Sequence, residues 1–249
     1  MQYLGGKSHG RKHICPLLNR FAENTTAYIE PFVGAGHVLT GVMHPSRYAY
    51  DIHPYLISMW IAIQRGWIPP RDVSCEEYYQ IRDNKDNFAP ELVGFVGFAC
   101  SFGGKWFGGY ARNSVGYNYA RSGRNSLLNI RAYIQNVTFG CSNYADIAIP
   151  NGSLVYCDPP YQDTTPYSYS FDSNIFWEWV RHISIKNVCI VSELSAPVDF
   201  VEIYRYEKNR DIKRIDDRSK REKFVDKLFI YDNGFADPDF ASEKQLSLF

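Results

Sequence analysis

The chain of 249 residues has six cysteines, yet no two of them form a CxxC pair, and its six histidines show no ligand spacing. Neither a zinc site nor a disulfide framework is indicated, and a reduced compartment fits. No metal is expected. No uninterrupted apolar stretch is long enough to span a bilayer. The opening segment "MQYLGGKSHGRK" lacks the apolar core of a signal peptide, so a cytoplasmic location is expected. There is no internal repeat and no low-complexity block. Net charge is zero, with 27 basic against 27 acidic side chains, so the whole molecule has no general attraction for polyanions. One local absence points the other way: residues 101–131 contain no Asp or Glu.

In that acid-free stretch stand Lys105, Arg112, Arg121, Arg124 and Arg131, interleaved with Phe102, Trp106, Phe107, Tyr110, Tyr117 and Tyr119. A second charge-dense run between Tyr204 and Lys227 includes Arg205, Lys208, Arg210, Lys213, Arg214, Lys220, Arg221 and Lys223. A phosphate-binding surface needs local positive charge, which a zero average does not exclude. Hydrophobic content of 45% is that of an ordinary globular protein, and the length allows one domain or two.

The first third alternates strand and helix signals. "TAYIE" (residues 26–30) reads as a strand, followed by a glycine turn and the apolar-periodic "HVLTGVM", which predicts a helix. "RYAYD" (47–51) reads as the next strand and "YLISMWIAIQ" as its helix. This βαβα order predicts an α/β fold with a parallel sheet covered by helices. "IPPRD" (68–72) interrupts it. Helix-like "PELVGFVGFAC", the glycine- and aromatic-rich stretch from Ser101, and helix-like "NSLLNIRAYIQNV" follow. The α/β pattern resumes with strand "SLVYC", helix "NIFWEWVRHI", strand "NVCIVS", and strands near Phe200–Tyr206 and Phe224–Tyr231. The simplest division is a discontinuous sheet domain over residues 1–67 and 144–232, a mostly helical insertion over 68–143, and a tail over 233–249.

Two strand ends carry chemistry. In "YIEPFVGAGHV" a strand runs into Gly34 and Gly36, a turn that lets a ligand approach the backbone. Asp51 ends the next strand, where an acid is placed to bind ribose hydroxyls. The dinucleotide fingerprint expects a third glycine where Leu39 stands, so a nucleoside cofactor suits better than a dinucleotide. In "LVYCDPPYQD" neither proline can donate to a sheet ladder or continue a helix. They freeze the chain after Asp158 and restrict the backbone that carries the Pro159 carbonyl. Asp158 and that carbonyl make two acceptors suited to the hydrogens of an exocyclic amine, and Tyr161 offers a ring face to a base.

Together these segments resemble the D12, Dam-like class of adenine-N6 DNA methyltransferases. "EPFVGAG" is similar to that family's cofactor loop, "YDIHPYLI" to its ribose-binding strand end, and "YCDPPY" to its catalytic tetrapeptide. "YLGGK" is similar to the N-terminal segment that folds over the cofactor. "VSELSAPVDF" and "DKLFIY" resemble late segments of phage-type members. The resemblance implies a Rossmann-like sheet and S-adenosylmethionine held by Tyr3, Lys7, Phe32, Gly34, Gly36, Asp51 and Asp158. It implies catalysis by Asp158, Pro159, Pro160 and Tyr161 on a base flipped from double-stranded DNA. The insertion becomes the DNA reader, with Phe107 as the wedge, Arg112 as a base or phosphate contact, and Lys105, Arg121 and Arg124 beside them. The family's asparagine after the aromatic is replaced here by Gly108. Asp146, in "SNYADI", resembles a segment near the cofactor adenine.

Cytosine-N4 or RNA adenine-N6 methylation would meet the same amine chemistry, and a silent DNA- or clamp-binding relative would keep the fold. Cytosine-C5 transfer needs a thiolate, and the chain has no Pro-Cys dipeptide. The last residues, "QLSLF", resemble the peptide by which bacterial proteins dock on the polymerase sliding clamp. Gln245, Leu246, Leu248 and Phe249 would fill that role in a bacterial or phage-infected cytoplasm. The protein is otherwise expected to be a monomer.

Overall fold

The computed structural model describes residues 1, 3–160, 171–211 and 221–232. In chain order the helices and strands are α1 (Arg11–Ala22), β1 (Tyr28–Glu30), β2 (Arg47–Asp51), α2 (Pro54–Arg65), α3 (Cys75–Asp83), α4 (Pro90–Ala99), α5 (Tyr119–Ile130), β3 (Val137–Cys141), β4 (Leu154–Cys157), α6 (Ser173–Ser184), β5 (Val188–Glu193), β6 (Phe200–Asp211) and β7 (Arg221–Tyr231). The fold is α/β, as expected. The chain divides into two compact units: residues 1–8 with 31–147, and residues 9–30 with those described from 148 onward.

In the first unit β2 and β3 pair in parallel, from Arg47 against Val137 to Asp51 against Cys141. α2 starts at Pro54, whose fixed φ suits the first turn, and stops at Gly66 with φ 106° and its N–H returned to the last turn. α3 opens on a capping box between Ser74 and Glu77. α4 is apolar nearly all round, and every residue from Val93 to Ala99 is buried. A helix of that kind forms a centre for other elements to cover.

Two expectations fail here. "HVLTGVM" forms only a 3-10 turn, Leu39–Gly41, and the chain is extended again at Val42. Thr40 Oγ1 bonds back to the Gly36 carbonyl at 3.0 Å, and Gly41 then weakens any continuation. The helix expected to run through "NSLLNIRAYIQNV" ends at Ile130, passes through a 3-10 turn, and Val137 begins β3.

In the second unit β1, β4 and β5 are parallel neighbours, and β7 adds antiparallel to β5 with β6 at its far side. All four residues of β4 are buried, as a central parallel strand requires. α6 is capped by the Asp172 carboxylate, which accepts from the N–H groups of Asn174 and Ile175. Its Arg181 holds Asp199, just before β6, through two bonds of 2.5 and 2.8 Å.

Candidate active site

In the first unit the carboxylate of Asp51 organises the glycine turn. Oδ2 accepts from Gly34 N–H at 3.1 Å, and Oδ1 accepts from His53 N–H at 3.0 Å. Trp60 Nε1–H donates to the Gly34 carbonyl at 3.0 Å, which fixes the turn from its other side. Gly34 and Gly36 take φ values of 47° and 63°, which side chains rarely adopt. A Cβ on Gly34 would stand 3.0 Å from the Tyr3 ring, so glycine is what allows Tyr3 to lie against the turn. Tyr3 in turn packs on Phe98 with ring centroids 5.1 Å apart. Phe32 packs on Tyr144 at 5.3 Å, which sets the "SNYADI" segment beside the turn although Asp146 itself is exposed. Lys7 is 3% exposed.

Burial pushes the Asp51 carboxyl up to about 6, against the backbone N–H groups of His53, Gly34 and Ile52 that favour its charged form. A carboxylate offers four lone pairs, and these three N–H groups leave one for a ligand. The turn therefore offers side-chain-free backbone next to a carboxylate with a free lone pair, and these residues fit S-adenosylmethionine, the carboxylate its ribose hydroxyls. His53, which the sequence left without a role, joins this arrangement to α4 and Trp106. Its ring meets Phe98 at 4.9 Å and Trp106 at 4.2 Å, both edge-on, and burial lowers its pKa to about 4. The only sequence signal for it is its place between the strand-end acid and a helix-starting proline.

The aromatic and basic residues expected to meet DNA sort into distinct groups. Trp106 packs on α4, where Gly97 leaves the room: a Cβ there would be 2.2 Å from the indole. Tyr110 donates its hydroxyl to the Val73 carbonyl at 2.8 Å. Phe107 differs from both. Among the described residues it is the non-glycine residue with positive φ, at 42°. For a bulky side chain that conformation is strained by about 1–3 kcal/mol and persists only where its surroundings impose it. Its N–H donates to the Gly97 carbonyl at 2.9 Å, its half-buried ring touches Tyr78 and Trp106, and Lys85 Nζ stands 5.5 Å from its centroid. Lys105 and Arg112 are exposed. Arg121 lies 3.6 Å from Asp72, and Arg124 donates to the Pro69 carbonyl at 3.1 Å, so these two are engaged within the unit.

In the second unit β4 delivers Asp158, half-buried, then buried Pro159 and half-buried Pro160. Tyr161 lies outside the described residues, as do Lys213, Arg214 and Lys220 of the late basic run and the tail residues Gln245, Leu246, Leu248 and Phe249. The remaining cations of that run stand on β6 and β7. Of these, Arg205 is paired with Glu202, and so is Lys227, at 3.2 Å.

The fold is α/β, with a glycine turn answered by a strand-end acid in the first unit and an Asp-Pro-Pro exit from a buried parallel strand in the second. The chain belongs to the D12 class N6 adenine-specific DNA methyltransferase family, whose model matches residues 3–91 and 107–227. Relatives include a DNA adenine methylase of Vibrio cholerae, 25% identical over 191 residues, covering 67% of this chain and 68% of that protein. A DNA adenine methylase of Salmonella typhi is 28% identical over 196 residues, covering 65% and 64% respectively. The type II methyltransferase M.FokI of Planomicrobium okeanokoites is 22% identical over 221 residues, covering 79% of this chain and 34% of that one. Among solved structures, a precorrin-6y C5,15-methyltransferase from Geobacter metallireducens has a TM-score of 0.39 at 9% identity, covering 92% and 93% of the two chains. An rRNA methyltransferase from Streptomyces viridochromogenes has a TM-score of 0.36 at 12% identity, covering 87% and 82%.

Proposed function

We propose that the protein transfers a methyl group from S-adenosylmethionine to N6 of adenine in double-stranded DNA, on a base turned out of the helix. The observation that carries this reading is the Asp158-Pro159-Pro160 exit of a buried parallel strand in a chain of this family. Adenine N6 is a poor nucleophile because its lone pair is delocalised into the ring. Asp158 and the Pro159 carbonyl accept its two hydrogens, which favours a pyramidal nitrogen with the lone pair directed outward. When bound, the cofactor supplies an electrophilic methyl group on a sulfonium. Asp51 holds the ribose hydroxyls, the Gly34–Gly36 turn lies along the methionine part, and Tyr3, Lys7 and Phe32 complete the enclosure. The gain comes from positioning and electrostatics, with no covalent enzyme intermediate. A base inside a duplex is out of reach, so the insertion extrudes it, with Phe107 filling the gap.

Nucleoside analysis of DNA and RNA exposed to the protein tests this reading. N6-methyladenine in duplex DNA is expected; N4-methylcytosine, or modified RNA alone, would overturn it. The tail supports a further partner. Its Leu246, Leu248 and Phe249 suit an apolar pocket on a bacterial sliding clamp, with Gln245 at the rim, which would concentrate a monomeric enzyme near new DNA in the cytoplasm. Deleting Gln245–Phe249 should abolish capture by immobilised clamp and leave activity on short duplexes intact. Equal capture of both forms would remove the clamp from the account.

A further inference from the structure

The second unit contains a polar group that its surroundings do not explain. β5 is VCIVSE, and its run of buried apolar residues is interrupted at Ser192, which is 0% exposed. Among the described residues the Ser192 hydroxyl has no hydrogen-bond partner. An alanine or valine would suit a buried strand better, because an unpaired hydroxyl there has lost water and gained nothing. A residue that breaks the local rule without a structural return points to function.

The sheet register says which function. β4 and β5 pair in parallel from Leu154 against Val188 to Cys157 against Val191. Asp158 and Ser192 are each the next residue after this last pair. The faces agree as well. Cys157 Sγ and Cys189 Sγ are 3.9 Å apart, so the odd-numbered residues of both strands share one face. Tyr156 and Ser192 therefore share the other, and Asp158 follows β4 two residues after Tyr156. Asp158 itself is half-buried at the strand exit.

We propose that Ser192 is a positioning residue for Asp158. Its hydroxyl donates to the Asp158 carboxylate when the target amine is bound, holding one lone pair so that another is directed at the N6 hydrogen. This inference rests on the adenine-N6 reading and gives a role to a residue of the "VSELSAPVDF" segment that had none. It predicts an effect on the chemical step alone. With duplex DNA as substrate, Ser192→Ala should lower kcat at least tenfold and leave KM for DNA and cofactor within about twofold. Its melting temperature should not fall, since an unpaired buried hydroxyl has been removed. Ser192→Cys keeps the shape with a weaker donor and should fall between wild type and alanine. The fluorescence of 2-aminopurine at the target position should respond as in the wild type, because extrusion precedes the step affected. An unchanged kcat in Ser192→Ala, or a loss that follows a lowered melting temperature, overturns the proposal. A wild type that methylates no adenine would overturn the functional reading beneath it, and that result is distinct from an active wild type matched by an equally active alanine variant.

Discussion

The glycine turn of the first unit and the Asp-Pro-Pro exit of the second both follow a short buried strand, yet different forces position them. The turn depends on side chains reaching backbone: Asp51 to two N–H groups, Trp60 to one carbonyl, with left-handed glycines between them. The exit depends on register, since β4 is fixed between β1 and β5 by parallel pairing, and Asp158 follows directly on its last residue. A site of the first kind should be sensitive to pH and to single side-chain losses in binding. One of the second kind should be insensitive in binding and unforgiving in chemistry.

The largest effect expected is therefore in the second unit. Asp158→Ala should reduce methyl transfer by at least about 10²–10³-fold, the scale of losing one preorganised group at a reacting centre. DNA affinity should persist, because it comes mainly from phosphate contacts made elsewhere. Single-turnover methylation beside a gel-shift titration checks both halves, and near-normal turnover would remove Asp158 from the chemistry.

Phe107 tests the first unit next. Phe107→Ala should remove most of the 2-aminopurine signal that reports base extrusion. If the ring only packs against Tyr78 and Trp106, the substitution would instead lower the melting temperature and leave that signal intact. The left-handed backbone at this position makes the wedge reading the more economical one, because a packing residue could be supplied from an unstrained position.

Asp51 gives a smaller, pH-dependent effect. Asp51→Ala should weaken cofactor binding by about 1–3 kcal/mol, the range for a lost hydrogen bond to a charged group. The folded carboxyl titrates near 6, above the 3.8 of an unperturbed one. The native state thus holds this proton more tightly than the unfolded chain, so the group's contribution to stability falls as pH rises from about 4 through 6. Cofactor affinity should move the opposite way over pH 5 to 7, since the carboxylate is the better acceptor for ribose hydroxyls. Calorimetry and thermal melts across that range should show the two trends crossing, and parallel trends would detach Asp51 from the ribose.

Much of this was legible in the sequence because it follows from local rules. "RYAYD", "SLVYC" and "NVCIVS" are apolar runs bounded by turn residues, and they became β2, β4 and β5. The glycine turn and the proline pair declare themselves by backbone chemistry. What stayed hidden depends on tertiary context. β3 follows a helix with only a short polar break, so its apolar residues read as more helix. α1 contains Pro16, which conceals its periodicity. His53 and Ser192 are ordinary letters until packing shows one ring held against Phe98 and Trp106 and one hydroxyl buried without a partner.

The smallest effect expected separates the basic residues of the insertion, which composition alone treats as equals. Arg124 donates its Nε–H to the Pro69 carbonyl, and Arg121 stands 3.6 Å from Asp72 at a solvent-exposed position. Arg112 is exposed within the acid-free stretch, a few residues after the strained Phe107. If Arg112 meets a phosphate, Arg112→Ala should weaken DNA binding uniformly across sequences and lower the slope of log K against log salt by about 1. If it meets a base edge, the loss should be sequence-dependent, about 1–3 kcal/mol at one position. Arg124→Ala should leave the salt slope unchanged and lower the melting temperature, because its hydrogen bond secures the loop at Pro69. Arg121→Ala should change stability by no more than the about 0–1 kcal/mol of an exposed ion pair. Salt titrations on the three variants read these differences directly. Equal slopes for Arg112→Ala and Arg124→Ala would mean that the DNA-facing charge of the first unit lies elsewhere, with Lys105 the next residue to replace.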